Sequence, residues 1–123
     1  LEEINIDEVI ETTEWWKNNN ALDLLPWSEG FAIVQRGDGL RNFIDKNGKY
    51  LTDEWFRNVH HFYNDLACVQ GSNRLYNFID KNGKLLSDEW FKDVSIFYEG
   101  FPKVQRTNGK WVKIDKTGKL HED

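Results

Sequence analysis

Asn42-Phe43-Ile44-Asp45-Lys46-Asn47-Gly48-Lys49 returns unchanged as Asn77-Phe78-Ile79-Asp80-Lys81-Asn82-Gly83-Lys84, 35 residues later. A run of identities at a fixed spacing marks an internal repeat, and a period of this size belongs to arrays of small units that bury their cores against one another. Extending the alignment outward keeps the register: residues 31–65 laid on 66–100 agree at 20 of 35 positions. The further matches include Val34/Val69, Gln35/Gln70, Asp53 to Phe56 against Asp88 to Phe91, and Phe62-Tyr63 against Phe97-Tyr98. A third unit opens at Phe101 and repeats Val104, Gln105, Ile114, Asp115, Lys116, Gly118 and Lys119 before the sequence stops at Asp123.

Each unit reads as an antiparallel meander. Phe31 to Gln35 and Arg41 to Asp45 are short, rich in β-branched and apolar residues, and read as two strands. Asp38-Gly39 and Asn108-Gly109 between such strands are hairpin signals, because Gly accepts positive φ. Asp45-Lys-Asn-Gly-Lys, with its copies at Asp80 and Asp115, predicts a second turn of type I with Gly left-handed in a G1 bulge. A third strand is expected at Lys49 to Leu51. Thr52-Asp-Glu-Trp-Phe and Ser87-Asp-Glu-Trp-Phe put a hydroxyl and two acids ahead of aromatics, which predicts a single helical turn. Val59 to Phe62 is expected as a fourth, edge-like strand. Such a unit is too small to bury its own face, so its neighbours must complete the core.

Residues 1–30 admit two readings. Thr13-Glu14-Trp15-Trp16-Lys17-Asn18 resembles Asp53 to Asn58, and Ser28-Glu29-Gly30 resembles Tyr98-Glu99-Gly100, which makes 1–30 a degenerate capping repeat. The face Ile6, Val9, Ile10, Thr13 and Trp16 equally describes an amphipathic helix from about Asp7 to Lys17. The fold class expected is all-β or mostly β: one domain over 1–123 of tandem 35-residue meanders (31–65, 66–100, truncated 101–123), with a short N-terminal helix or helical turn.

The bulk composition excludes several functions. Hydrophobic residues at 39% with six Trp and eight Phe supply a core, so the chain is not a disordered one. A net charge of −5 argues against a nucleic-acid binder, which neutralises phosphates with a basic face. No run approaches the length of a membrane span. A start at Leu1 with no Met anywhere points to a processed or excised chain, and leaves the compartment, cytoplasmic or exported, open. Cys68 is the only cysteine, with no second thiol for a disulfide or a zinc site.

These units resemble the bacterial WG β-hairpin repeat family over about residues 31–120, through Asn108-Gly-Lys-Trp111, the Phe-Ile-Asp at 43–45 and 78–80, and the Asp-Lys-x-Gly-Lys turns. The name-giving Trp-Gly pair is replaced by Arg41-Asn42, Tyr76-Asn77 and Trp111-Val112; if that Gly serves a close backbone approach or a bulge, the chain has either dropped the feature or met it with Asn, which tolerates similar backbone angles. The resemblance implies a bacterial interaction or surface module with no shared catalytic residue.

The residues themselves point the same way. Asp45, Asp80 and Asp115 sit at turn entrances, where the side chain bonds the backbone two residues on. A glycosidase needs two carboxylates in different environments, whereas repeated units make identical ones. A calcium loop lacks its further acids and closing Glu. His60 and His61, as strand neighbours, would point to opposite faces and share no metal, and Cys68 takes the place of Ile33 in a core. The recurrent Trp55-Phe56 and Trp90-Phe91 read as core between units; a row of exposed rings stacking on sugar is the sharper alternative. Six lysines, at 46, 49, 81, 84, 116 and 119, form a row at one turn, a solvated edge or a contact for an anionic polymer. Specificity belongs where the side chain varies on a constant frame: Arg41, Tyr76 and Trp111, beside the turns at 36–40 and 71–75. The expectation is a non-enzymatic protein-interaction or scaffold module without cofactor or metal, binding an unidentified protein, with a polysaccharide or cell-envelope polymer as the alternative partner.

Overall fold

A computed structural model describes residues 27–95 and 101–122. Both readings of residues 1–30 and the N-terminal helix, apart from Trp27 to Gly30, lie outside those residues, as do Trp15, Trp16, Phe97 and Tyr98-Glu99-Gly100.

The described residues form nine short antiparallel strands and no helix: β1 (Ala32–Gln35), β2 (Arg41–Ile44), β3 (Asn58–Val59), β4 (Leu66–Gln70), β5 (Tyr76–Asp80), β6 (Asp93–Ser95), β7 (Lys103–Gln105), β8 (Trp111–Ile114) and β9 (Leu120–His121). They make three sheets, β1-β2, β3-β4-β5 and β6-β7-β8-β9. Each strand pair β1-β2, β4-β5 and β7-β8 is a hairpin in the same register, with Gln35 opposite Arg41, Gln70 opposite Tyr76 and Gln105 opposite Trp111. Single bridges join the sheets: Arg41 and Phe56 exchange both backbone bonds, and so do Tyr76 and Phe91. The chain after Phe56 then pairs forward, Asn58 with Gln70 and Val59 with Val69. The segment 56–59 thus touches the hairpin before it and the hairpin after it.

Alternation along the strands explains the core. Successive residues of a strand point to opposite faces. On one face of the β4-β5 hairpin, Ala67, Val69 and Ile79 pack with Phe43, Phe56, Val59 and Phe62. On the other, Cys68 and Phe78 pack with Phe91, Val104, Val112 and Ile114. Both strands consequently read as continuous buried runs in their middles.

The turns are set by Asp and Gly. Asp45 Oδ1 accepts the backbone N–H groups of Asn47 at 2.8 Å and Lys49 at 3.0 Å, and Gly48 takes φ 80°. The same bonds form at Asp80 and at Asp115, with φ 82° at Gly83 and 88° at Gly118. Two of these glycines also meet the preceding hairpin. A Cβ on Gly83 would stand 2.5 Å from the Leu51 carbonyl oxygen, and one on Gly118 would overlap that of Leu86.

The structure departs from expectation in three places. Thr52 and Ser87 do cap, accepting the N–H of Glu54 at 3.2 Å and Glu89 at 3.0 Å, but no helical turn follows. Phe56 and Phe91 bond instead to the strand opposite, because the chain must remain extended to join two hairpins. The third strand at 49–51 shrinks to one bridge, Ile44 with Tyr50. The fourth is β3 alone; beyond it Tyr63 and Leu66 exchange backbone bonds across Asn64 and Asp65, whose φ values of 52° and 71° make a type I′ turn. No helix among the described residues is long and apolar enough to cross a membrane.

A carboxylate clamps that turn. Glu29 accepts the N–H of Asn64 at 2.8 Å and of Asp65 at 2.9 Å, and Lys81 Nζ lies 3.2 Å from Glu29 and 3.1 Å from Asp65. The Asp65 N–H foremost, with Lys81 and the Asn64 N–H, holds the Glu29 carboxyl below its ordinary value of 4.5 despite some opposing desolvation.

Gly109, at φ 90°, has open space where its Cβ would be, so Gly109→Ala should cost only the left-handed backbone, about 1 kcal/mol. Gly83→Ala adds a clash with backbone and should cost about 1–3 kcal/mol more by urea unfolding; equal losses at the two sites would contradict the close approach. Because the Glu29 pKa is lowered on folding, its contribution is present above about pH 4.5 and fades as pH falls below that value. The stability gap between the wild-type chain and Glu29→Gln should therefore be widest near neutrality and narrow on acidification.

Candidate functional site

The recurrent side chains are largely taken up by the fold. Asn42 and Asn77, fully buried, donate through Nδ2 to the carbonyls of Thr52 at 2.8 Å and Ser87 at 2.9 Å, while each Oδ1 accepts the next residue's N–H. Neither has positive φ. Of the two alternatives, Asn as a backbone stand-in for glycine is therefore not the one seen; the two side chains tie the strand to the segment that leaves the following turn. Phe56, Phe62 and Phe91 are buried, and Trp55 and Trp90 are half-buried. Trp55 lies under the Arg36 guanidinium at 4.7 Å and against Tyr50, and Trp90 lies where a side chain on Gly71 would have been. Cys68 is buried, and burial pushes its thiol up to about 12. It is packing, not a nucleophile.

The varying positions open β2, β5 and β8, each at the same place opposite a glutamine. Arg41 is half-buried, and its Nη1 donates to Asn58 Oδ1 at 2.9 Å. It lines a cleft of about 430 Å³ with Asp38, Arg57, Asn58 and Gln70. Tyr76 is half-buried and packs partly on the second apolar cluster. Trp111 is 41% exposed. The structure therefore places the three at equivalent register positions in successive hairpins.

The turns next to these positions share one design. Asp38, Asn73 and Asn108 each accept the N–H two residues on, from Leu40, Leu75 and Lys110. Gly39 and Gly109 supply φ 91° and 90°, but in the middle turn the residue is Arg74, at φ 68°. Asp38 also accepts from Arg36 at 2.8 Å, and that guanidinium, with the Leu40 N–H, lowers its pKa.

Other chemistry is sparse. His60 and His61 lie past the end of β3, so strand alternation does not separate them; both are exposed and line an apolar pocket of about 80 Å³ over Cys68 and Phe78. Its wall at Phe101 directly follows residues 96–100, which lie outside the described residues. No group of three or more His, Cys, Asp or Glu among the described residues is placed to hold a metal. Of the lysine row, Lys81 is drawn to Glu29 and Asp65, and Lys46 lies 5.9 Å over the Trp27 ring. Arg57 and Asn58, which complete the Arg41 cleft, are the residues that sequence reasoning missed. Their signal was weak: Arg57-Asn58 becomes Lys92-Asp93 in the second unit, a change that passes for ordinary surface drift.

No family model matches the chain, and no curated protein does. Among solved structures it is similar to the computationally designed Ika4 protein, with a TM-score of 0.48, 14% identity, and coverage of 79% of this chain and 68% of that one. It is also similar to the computationally designed Ika8 protein, with a TM-score of 0.47, 16% identity, and coverage of 78% and 34%.

A side chain at φ 68° costs about 1 kcal/mol relative to glycine. Arg74→Gly should therefore raise stability by about that amount in thermal or urea unfolding; a neutral or destabilising result would show that the Arg74 side chain supports the turn.

Proposed function

We propose that this chain is a non-enzymatic protein-interaction module, an array of 35-residue WG-like meander units whose partner contacts run along Arg41, Tyr76 and Trp111 and the turns beside them. One observation carries the reading. At a single register position the frame is constant, down to the glutamine across the ladder, while the side chain changes from a cation to a phenol to an indole. Variation on a rigid frame is how a scaffold acquires specificity without altering its stability. Catalysis gains no support, since the recurrent carboxylates of Asp45, Asp80 and Asp115 are engaged by their own turns.

The test compares two triple variants. Arg41→Ser with Tyr76→Ser and Trp111→Ser should abolish retention of the partner that the wild-type chain enriches from its source cells. Lys49→Ser with Lys84→Ser and Lys119→Ser, at exposed turn positions, should leave retention intact. The reverse pattern would move the contact to the lysine edge. Retention by a purified cell-wall polysaccharide that depends on Trp111 would favour the polymer-binding alternative.

A further inference from the structure

The cleft beside Arg41 has an unusual charge balance. It contains three charged side chains, Asp38, Arg41 and Arg57. Asp38 is already committed to the Arg36 guanidinium and the Leu40 N–H. Arg41 gives one N–H to Asn58 Oδ1, a neutral acceptor that also receives the Val59 N–H at 3.0 Å. Among the described residues neither Arg41 nor Arg57 has an acidic partner, although Arg106 pairs with Glu89, Lys81 with Glu29 and Asp65, and Lys110 with Glu122. A chain of net charge −5 thus leaves two cations without acids at one cleft.

Arginine presents a fork of N–H donors that matches the two oxygens of a carboxylate, and one used donor leaves the rest of the fork available. The bond to Asn58 holds the Arg41 head in place before any ligand arrives, which lowers the ordering cost of binding. Asp38 on the wall and the negative net charge penalise a dianion or a polyanion more than a single negative charge. The equivalent place in the second unit has Tyr76 and Lys92, one cation in place of two.

We propose that the cleft between the 36–40 turn and the 57–58 segment receives one carboxylate, an Asp or Glu side chain of the partner protein, on Arg41 and Arg57, both of which line it. This deepens the reading of the 41/76/111 face and rests on it for the identity of the partner.

The probe is sodium acetate, titrated into the whole chain at constant ionic strength while side-chain resonances of Arg41, Arg57 and Asn58 and the Gly39 amide are followed by NMR. A saturable shift confined to these groups is expected. Arg57→Gln, at an exposed position, should weaken it by about 3-fold or more and Arg41→Gln should abolish it, with thermal unfolding checking that both variants fold. Inorganic phosphate should bind no tighter than acetate. Absence of a saturable shift, shifts centred on the turn lysines, tighter phosphate binding, or indifference to Arg57→Gln would each overturn the proposal. The partner-retention assay separates the two readings: partner loss in the 41/76/111 triple variant with no acetate site removes the carboxylate assignment alone. Acetate binding with partner retention unchanged removes the face reading alone.

Discussion

Side chains of the β4-β5 hairpin enter two apolar clusters on opposite faces: Ala67, Val69 and Ile79 meet the hairpin before, Cys68 and Phe78 the hairpin after. A two-stranded hairpin is at best marginally stable in water, and this one is stable because it is the shared layer between its neighbours. The period of the sequence is a consequence. Whatever one hairpin presents upward must fit what the previous one presents downward, so a workable pair of faces tends to be repeated.

The same constraint explains how the recurrent residues are used. Gly83 and Gly118 let each turn come against the carbonyl of Leu51 or Leu86, and Asn42 and Asn77 accept the buried N–H groups of Phe43 and Phe78 while reaching the carbonyls of Thr52 and Ser87. The aromatic segment 55–56 and its copy at 90–91 fill the space between layers. With the recurrent positions committed to stacking, the residues that the stack does not specify are the ones free to differ between units. The cleft at Arg41 and Arg57 is of that kind, built by a turn and a connecting segment at the margin of the core.

Local chemistry made much of this legible. The Asp-Lys-x-Gly-Lys turn is determined by its own five residues, and its hydrogen bonds and positive φ at Gly follow from reading them. The alternating strands were equally plain, as was the burial of Cys68 at a core position. What could not be read depended on distant partners. A hydroxyl followed by two acids is a helix-start signal by local rules, yet at Thr52 the pull of Arg41 on Phe56 across the ladder keeps the chain extended. The choice at Asn42 between a glycine stand-in and a dropped glycine stays open in the sequence, which shows the residue and not the Thr52 carbonyl that it reaches. The Glu29 clamp spans 35 residues, and Arg41 meets Asn58 across 17, so neither pairing had a local mark.

Native-state amide hydrogen exchange tests the shared layer most directly. If the β4-β5 hairpin is stabilised by both neighbours, the amides of its ladder should be the slowest in the chain, exchanging only when the whole array unfolds, with the outer β1-β2 and β8-β9 pairs opening earlier. Exchange in β4-β5 as fast as in those outer pairs would contradict the account, because it would mean that each hairpin stands or falls without its neighbours.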